Sequence, residues 1–354
     1  MKKKLVSLVS ATILSAVVLA GCGSQPETAA EVATETATET AAEASTGAEL
    51  KTGLGTSVSI ADSKDATAEG DGTAQADATI AAVTVDGEGK ITQCVIDIAQ
   101  TRIGVSADGK ITSDLNAEYP SKRELGDNYG MKKASAIGKE WYEQADAFAA
   151  WAVGKTAADL SGMAISEGYA GDADLAASVS IHVTGFQSAV LEAVNNATAM
   201  GAHEGDKLGL GLTTNIAKSV DATAEEDGTA QAYTTISALT VGNDGKITSN
   251  IIDAVQANIT FDATGVITAD TSVDIKSKDE LGDAYGMKQA SAIGKEWNEQ
   301  AAAYAEYTVG KTADEVAGTA MTEGRAADAD LAASVSVHIT DFNAVIAKAV
   351  AAAK

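Results

Sequence analysis

The pattern of apolar and polar positions predicts a β-hairpin early in the folded part of the chain. Two stretches rich in β-forming residues, Ala78–Val85 and Ile91–Ile98, flank the Gly-containing segment Asp86–Lys90. Such runs on either side of a short polar turn are typical of paired antiparallel strands. Ser106–Lys110 predicts another turn of the same kind before Ile111.

Farther along, the apolar period becomes that of a helix. One apolar face recurs at i, i+4, i+8, i+11 and i+15, and its members are Ile137, Trp141, Ala145, Phe148 and Ala152. Val179–Val183 then alternates as a strand. A last helix is expected from Thr184 or Gly185, with an apolar face of Phe186, Val190 and Val194. A sheet with two packed helices predicts an α+β fold.

The chain contains this arrangement twice. Residues 51–198 align with residues 207–354 without insertion or deletion, and each residue has its counterpart 156 positions later. Ser121–Trp141 and its copy Ser277–Trp297 differ only at Arg123/Asp279, Asn128/Ala284 and Lys133/Gln289. Each copy is long enough for a domain with its own core. We therefore expect two tandem sheet-plus-helices domains, joined by a short hinge at Ala199–Asp206.

The first residues predict export and a lipid anchor. Lys2, Lys3 and Lys4 precede an apolar run, Leu5–Ala20, which is too short for a membrane span but typical of a signal peptide. The sequence of Leu19–Cys22, LAGC, matches the lipobox of bacterial lipoproteins. The match implies removal of residues 1–21 and lipid attachment at Cys22. The mature protein would then lie on the outer face of the cell membrane.

Residues 22–50 are expected to form a disordered acidic tether after the anchor. Gly23–Leu50 contains mostly Ala, Thr, Glu and Ser, has no Lys or Arg, and offers few large apolar side chains to bury. The whole chain has a formal charge of −25, which argues against nucleic acid as a partner because its phosphates would be repelled. With Cys22 lipidated, Cys94 has no disulfide partner in the chain, and its place in a strand favours a buried or half-buried thiol without function.

The chain lacks the motifs of common catalytic and metal-binding classes. It has no CxxC, no HExxH, no Walker loop and no defensible Ser-His-Asp spacing, so a hydrolase is not expected. Its acidic turns lack the spaced ligands of a calcium loop. What stands out is Asp172–Ser178, which reads DADLAAS, and its copy Asp328–Ser334. Each has an acidic start, then small residues, then a hydroxyl.

These segments resemble the attachment motif of FMN-binding domains, whose flavin is linked through its phosphate to a Thr or Ser in a D-A-x-S-G-A-T type sequence. The matching residues are Asp172, Ala173, Ala177 and Ser178, and in the second copy Asp328, Ala329, Ala333 and Ser334. The chain departs from the motif where Leu175 and Leu331 replace Ser, and where Ala176 and Ala332 replace Gly. Ser180 and Ser336, two residues farther along the expected strand, are the fallback acceptors.

The resemblance extends over nearly all of both copies, and with the lipobox it is greatest to the two-flavin extracellular electron transfer lipoproteins of Gram-positive bacteria. Its further landmarks are Asp71-Gly72, Gly89-Lys90-Ile91, Glu124-Leu125-Gly126 and Gly154-Lys155, with their second-copy equivalents. The resemblance implies covalent FMN in each copy, attached by an FAD-dependent FMN transferase. It also implies relay of electrons from a membrane quinol-linked dehydrogenase to extracellular acceptors, so the chain would be an electron carrier rather than an enzyme.

Several residues near the motif have two interpretations. The Gly-bearing loop before Trp141 could close over the flavin ring or phosphate, or be a plain turn; it contains Gly126, Tyr129, Met131 and Lys132, and in the second copy Gly282, Tyr285, Met287 and Lys288. Trp141 and Trp297 could stack on the ring, although their helical spacing favours core packing. His182 and His338 could contact the flavin, although a solvated strand face is favoured.

A different class remains as the alternative: a surface lipoprotein that binds a cell-wall polymer or a small ligand without a redox cofactor. Exposed aromatic side chains on a strand face would favour it. Aromatic residues make up only 4% of the chain, and most fall at helical core spacing, so the electron carrier is the preferred hypothesis.

Overall fold

A computed structural model describes residues 47–354 of the chain. The predicted signal peptide, the predicted lipidation site Cys22 and most of the predicted tether lie outside the described residues. The predicted end of the tether is wrong, because the first strand already begins at Glu49 and buries Leu50. Within residues 47–354, no helix is long and apolar enough to cross a membrane.

The described residues form an α+β fold, as predicted, with the same order of main elements in both repeats. The first repeat contains β1 (Glu49–Ser59), β2 (Gly72–Val85), β3 (Ile91–Val105), α1 (Lys122–Leu125), α2 (Trp141–Ala152), α3 (Ala157–Ser161), β4 (Ile165–Ser166), β5 (Tyr169–Ala170), α4 (Ala173–Ala176) and α5 (Thr184–Asn196). After β6 (Thr198–His203), the second contains β7 (Lys207–Asn215), β8 (Gly228–Val241), β9 (Ile247–Phe261), α6 (Lys278–Leu281), α7 (Trp297–Thr308), α8 (Ala313–Ala317), β10 (Met321–Thr322), β11 (Arg325–Ala326), α9 (Ala329–Ala332) and α10 (Thr340–Ala352).

The predicted hairpin is confirmed and is longer than the sequence pattern indicated. β2 and β3 pair antiparallel from Gly72 opposite Val105 to Val85 opposite Ile91, and β8 and β9 repeat this pairing. Gly89 closes the first turn with φ of 80°, a conformation that glycine adopts without a steric penalty. The last helix is confirmed as well, since α5 begins at Thr184.

One predicted helix boundary and one predicted strand are wrong. The first long helix starts at Trp141 rather than before it, because Glu140 is its N-cap and forms a capping box with Glu143. Val179–Val183 is not a strand. Its two valines are buried, as the alternation implied, but its backbone N–H groups bond to a side chain at Ser180 and to the Gly168 carbonyl at Val183, with no neighbouring strand.

The expected hinge between the repeats is also wrong. Most of Ala199–Asp206 forms β6, which pairs antiparallel with β1, for example Thr198 opposite Thr52 and Ala202 opposite Leu50. β6 therefore extends the first sheet to the order β3-β2-β1-β6, while the second sheet keeps the order β7-β8-β9. Backbone hydrogen bonds along this connection oppose independent motion of the two repeats.

The two sheets pack face to face and make a core that both repeats share. Alternate residues of β2 point to opposite faces, so Ala81 and Val83 pack against the helices of their own repeat while Ile80 packs against the second repeat. Its partners there include Leu210 and Ile236. A second, separate cluster also joins side chains from both sheets, including Ile103 and Phe261.

Reciprocal hydrogen bonds fasten the repeats to each other at their edges. Ala66 N–H donates to the Gly265 carbonyl, and the equivalent Ala222 N–H donates to the Gly109 carbonyl, both at 2.9 Å. Each contact is the counterpart of the other, as in an isologous dimer interface. The repeats are thus related by an approximate twofold arrangement within one chain.

The two clefts between the repeats are equivalent in position but differ in charge, since the first contains both signs and the second is acidic. In one, Lys348 forms a 2.6 Å ion pair with Glu124. In the other, Glu192 occupies the position equivalent to Lys348, and its Oε2 accepts the Thr56 N–H at 3.0 Å while the Thr56 hydroxyl donates to Glu280 at 3.2 Å. The second cleft thus collects carboxylates without a cation partner.

Substitution in the shared core should destabilise both repeats together. Ile236→Ala removes a fully buried side chain that contacts both sheets and should cost about 2–5 kcal/mol of unfolding free energy. Calorimetry should show one transition at a lower temperature, whereas the exposed-site control Val273→Ala should leave it in place. Two separate transitions, with only one shifted, would contradict the shared core.

The acidic cleft should make the folded protein less stable as pH rises. Burial raises the pKa of Glu192 from 4.5 to about 7, with repulsion from Glu280 adding to the effect. A raised carboxyl pKa favours folding below the unfolded-state pKa, and that contribution is lost as pH increases toward 7. Glu192→Gln should make the fall in unfolding free energy between pH 4.5 and 7 smaller by about 1 kcal/mol, a value reduced to allow for solvent screening. Urea unfolding at several pH values in this range measures the change. If Glu192→Gln and the exposed control Glu118→Gln both keep the pH dependence of the unaltered protein, titration of Glu192 is not the cause of the decline.

Candidate functional site around Ser178 and Ser334

A short capped helix leads into each candidate acceptor serine. α4 follows Asp172, whose Oδ1 accepts the Leu175 backbone N–H at 2.8 Å, and the Leu175 side chain is buried in the core. Asp328 caps α9 in the same way and accepts from Leu331 at 2.9 Å. The acidic residue that opens each motif therefore stabilises a helix start, and the leucine that departs from the family motif anchors that helix.

Ser178 and Ser334 lie in the turns directly after these helices and are half-buried. The residues before them, Ala177 and Ala333, are exposed and add little bulk around the serine. Ser178 N–H bonds to the Leu175 carbonyl at 2.9 Å. Neither serine hydroxyl takes part in a hydrogen bond within the described part of the chain. Both hydroxyls are therefore available for reaction.

The fallback acceptors differ in this respect, because their hydroxyls are already bonded. Ser180 donates from its backbone N–H and its hydroxyl to Oε1 of Gln144, at 2.8 and 3.2 Å. Ser336 makes the same pair of bonds to Gln300, at 2.8 and 3.1 Å. A hydroxyl that must first leave a buried glutamine is a poorer nucleophile for an incoming transferase, so the geometry favours Ser178 and Ser334.

Gln144 also ties the acceptor segment to the Gly-bearing loop. It is fully buried, and its amide N–H groups donate to the Lys139 carbonyl at 3.2 Å and to the Ser135 hydroxyl at 3.3 Å. Its Nε2 lies 3.6 Å from Met131 Sδ. One side chain thereby holds the loop before α2 against the chain that follows Ser178, and Gln300 does the same in the second repeat.

A buried carboxylate fixes the other side of this loop. Glu140 Oε2 accepts the Met131 N–H at 2.8 Å. In the second repeat, Glu296 accepts from Met287 at 2.8 Å and from Lys288 at 2.9 Å. The loop is therefore held by side chains that also cap α2 and α7. It packs beside the acceptor segment, but whether it contacts a cofactor stays a prediction.

Gly126 and Gly282 have a role in turn geometry. Each ends a four-residue helix and has φ near 50°, at 51° and 48°, which glycine adopts without strain from a Cβ. Trp141 is buried and packs edge-on against Phe186 at 5.9 Å, as core packing requires. His182 is exposed and lies edge-on against Tyr169 at 4.5 Å.

A surface cavity of about 350 Å³ opens beside Ser334. Its wall includes Tyr307, which stacks on the buried Tyr304 at 5.6 Å and carries Lys311 Nζ at 4.2 Å from its ring. In the first repeat, Trp151 has the same place, with Lys155 Nζ at 4.2 Å. In the second repeat, the candidate acceptor Ser334 thus lies beside the last turn of α7, where Tyr307 provides an aromatic ring.

The cavity beside Ser334 fits a phosphodiester-linked flavin in shape more readily than in charge. A free hydroxyl, small neighbours and an aromatic wall suit the attached group, whereas Glu306, Asp328 and Asp330 bring negative charge around the phosphate. Among residues 47–354, no cluster of three or more His, Cys, Asp or Glu side chains could hold a metal ion.

Comparison with known proteins gives a partial match. A protein of Desulfitobacterium hafniense named chlorophenol reductase is 31% identical over 123 residues, which cover 32% of this chain and 37% of the relative. The chain thus spans well under half of that protein's length. No family model matches the chain, and no solved structure matches it significantly.

Removing the buried glutamine should loosen the acceptor segment. Gln144→Met preserves side-chain length but leaves the Ser180 N–H and the Lys139 carbonyl without their partner, at a cost of about 2 kcal/mol. The urea midpoint should fall relative to the control Gln289→Met, which replaces an exposed glutamine. Equal midpoints for the two variants would show that Gln144 does not brace the segment.

Proposed function

We propose that this protein is a lipid-anchored flavoprotein electron carrier with FMN linked covalently to Ser178 and to Ser334. The observation that carries the proposal is the free hydroxyl at each of these positions, next to small residues on a capped and anchored turn. The bonded hydroxyls of Ser180 and Ser336 support the choice of register. The aromatic wall beside Ser334 supports a planar cofactor at this site.

The attachment reaction asks little of this chain. An FAD-dependent FMN transferase would bring the dinucleotide, a base and a divalent cation. A bond forms between Ser178 Oγ and the FMN phosphorus, the pyrophosphate bond breaks, AMP leaves, and the serine proton passes to the base. The chain contributes a hydroxyl and an uncrowded approach, so no catalytic residue of its own is required.

A covalent link suits a protein at the cell exterior, where a dissociated cofactor would be lost. When bound, FMN accepts electrons singly or in pairs, which lets it connect a membrane quinol-linked dehydrogenase with extracellular acceptors. The proposed lipid at Cys22 and the acidic tether would keep the folded part near the donor. The name of the partial relative assigns that protein to reductive chemistry, which is compatible with a redox role here.

The serine variants test this proposal directly. Ser178→Ala should halve the covalent flavin and the double variant with Ser334→Ala should abolish it, because these two serines are the proposed points of attachment. Each change removes a half-buried hydroxyl that has no bond, so unfolding free energy should change by less than about 0.5 kcal/mol. In-gel fluorescence of denatured protein, from a host that supplies the transferase, measures the flavin.

The control variant is Ser180→Ala with Ser336→Ala, which should keep full flavin content. Flavin that persists in the Ser178/Ser334 double variant but disappears in this control would show that Ser180 and Ser336 are the acceptors instead. Loss of flavin with unimpaired reduction of a soluble ferric chelate by cells would refute the electron-carrier role. A colourless native protein with the mass of the bare chain would refute the modification itself.

A further inference from the structure

Lys278 is a buried cation surrounded by aromatic rings. Its side chain is 4% exposed, and its Nζ lies 4.4, 4.5 and 4.8 Å from the ring centroids of Tyr285, Tyr233 and Trp297. The ammonium donates one hydrogen bond, to the Tyr233 hydroxyl at 2.9 Å. Within residues 47–354, no carboxylate forms an ion pair with it.

The equivalent lysine of the first repeat has still fewer partners. Lys122 is 9% exposed, with its Nζ 4.9 Å from the Tyr129 ring and 5.6 Å from the Trp141 ring. It has no hydrogen-bond or ion-pair partner in the described part of the chain. The first repeat has Asp77 where the second has Tyr233, yet Asp77 bonds to Gln100 at 2.6 Å instead.

Burial of these lysines opposes folding. An ammonium removed from water needs compensation, and cation–π contacts return about 2 kcal/mol when the group is desolvated. Burial accordingly lowers the pKa of Lys278 from 10.5 to about 8. Both repeats nevertheless keep unused lysine N–H donors at this position. The side chains of both lysines are packed among aromatic rings, and their unused donors are open to the adjoining cavity, so an acceptor from outside the chain can reach them.

Each lysine faces a cavity that could hold that acceptor. The cavity at Lys278 measures about 440 Å³ and is walled by Tyr233 and Tyr285, with the amides of Gln256 and Asn215 at its edge. The cavity at Lys122 measures about 350 Å³ and also combines tyrosine and glutamine side chains. Both volumes fall in the range of small-molecule sites. A second cation lines each cavity, Lys218 at Lys278 and Arg102 at Lys122. Asp341 adds one carboxylate to the cavity at Lys278. Flat aromatic walls beside these cations and several amides favour a planar ligand that presents oxygen atoms.

We propose that Lys278 and Lys122 each bind the oxygen-bearing edge of a planar conjugated ring that becomes anionic on reduction. The ring takes up two electrons and one proton from the reductant, and the negative charge left on its carbonyl edge faces the ammonium. A fixed cation at that edge stabilises the reduced ring over the oxidised ring and raises its reduction potential.

Two sources could supply such a ring: the flavin on the repeat's own serine, or a free flavin or quinone from solution. The first source rests on the proposed function. Trp297, beside Lys278, and Tyr307, beside Ser334, lie at opposite ends of α7, ten residues or about 15 Å apart along its axis. A ring attached at Ser334 would have to extend along the helix, whereas a free ring would not need the serine.

The test uses the full chain with Lys278→Met and Lys122→Met together. Methionine keeps the length and apolar stem of lysine, so the charge is the main loss. The matched control is Lys276→Met with Lys133→Met, which removes two charges from exposed side chains. The readouts are the reduction potential of the attached flavin and the affinity of the Ser178→Ala/Ser334→Ala protein for riboflavin and anthraquinone-2,6-disulfonate, oxidised and dithionite-reduced.

If the ring is the repeat's own, the lysine variant should lower the reduction potential of the attached flavin by about 30 mV or more, which for a two-electron couple is a tenfold loss of preference for the reduced form. If the ring is free, the serine variant should bind a reduced probe, and the lysine substitutions should weaken that binding at least tenfold. Equal potentials and equal probe affinities in the lysine variant and its control would overturn the proposal. A protein without flavin would refute the proposed function, while the probe arm still decides this inference.

A measurement on the unaltered chain covers the case in which the lysine variant does not fold. Acetic anhydride labelling followed by peptide mapping reports the access of each lysine. A reduced riboflavin or quinone probe, or the attached flavin itself, should protect Lys278 and Lys122 at least threefold while Lys276 and Lys133 keep their reactivity. Labelling of Lys278 and Lys122 that is the same with and without the reduced ring would contradict binding in these cavities.

Discussion

The structure depends on β2 and β8 being buried on both faces. Along each strand, one set of alternate side chains packs against the helices of its own repeat and the other set packs against the opposite sheet. A sheet with a polar outer face would leave each repeat as a separate body. Because both faces are apolar, the pairing of the repeats and the folding of each repeat draw on the same side chains.

This arrangement leaves the acceptor segments on the outside. α4 and α9 are each fixed by a capping aspartate and one buried leucine. The turns that follow them keep Ser178 and Ser334 half-buried at the surface, outside the shared core. The acidic start of each motif has a structural cause in helix capping, so it is weak evidence for cofactor contact. The free serine hydroxyl is the stronger support for the flavin hypothesis.

The sequence predicted the elements whose periodicity reflects a single buried face. The helix faces of Phe148 and Phe186 and the hairpin around Gly89 are of this kind. The strand predicted at Val179–Val183 is wrong because alternation indicates which side chains are buried but not which groups bond to the backbone. Here the side chain of Gln144 accepts a backbone hydrogen bond that a neighbouring strand would otherwise accept. The face-to-face sheets were missed because the unbroken apolar run of β2 looks the same in a strand covered by helices or by another sheet.

The resemblance placed the candidate acceptor at Ser178, with Ser180 as the fallback, and that assignment stays a prediction. The physical difference between the two serines was not readable from the sequence, because the Ser180 hydroxyl bonds to Gln144, a residue of α2. Gln144, Glu140 and Lys122 were not singled out. One feature of the sequence could have indicated them. Each is a polar residue that is identical in both copies and stands within or beside an apolar helix pattern.

The proposed electron-carrier role depends on attachment of FMN to Ser178 and Ser334, and peptide mass mapping of the protein purified from a cell that exports and flavinylates it measures that attachment. We expect the peptides containing Ser178 and Ser334 each to be heavier by one FMN less one water, with fragmentation assigning the added mass to these serines. Unmodified masses for both peptides, with flavin absent or attached elsewhere in the chain, would contradict it.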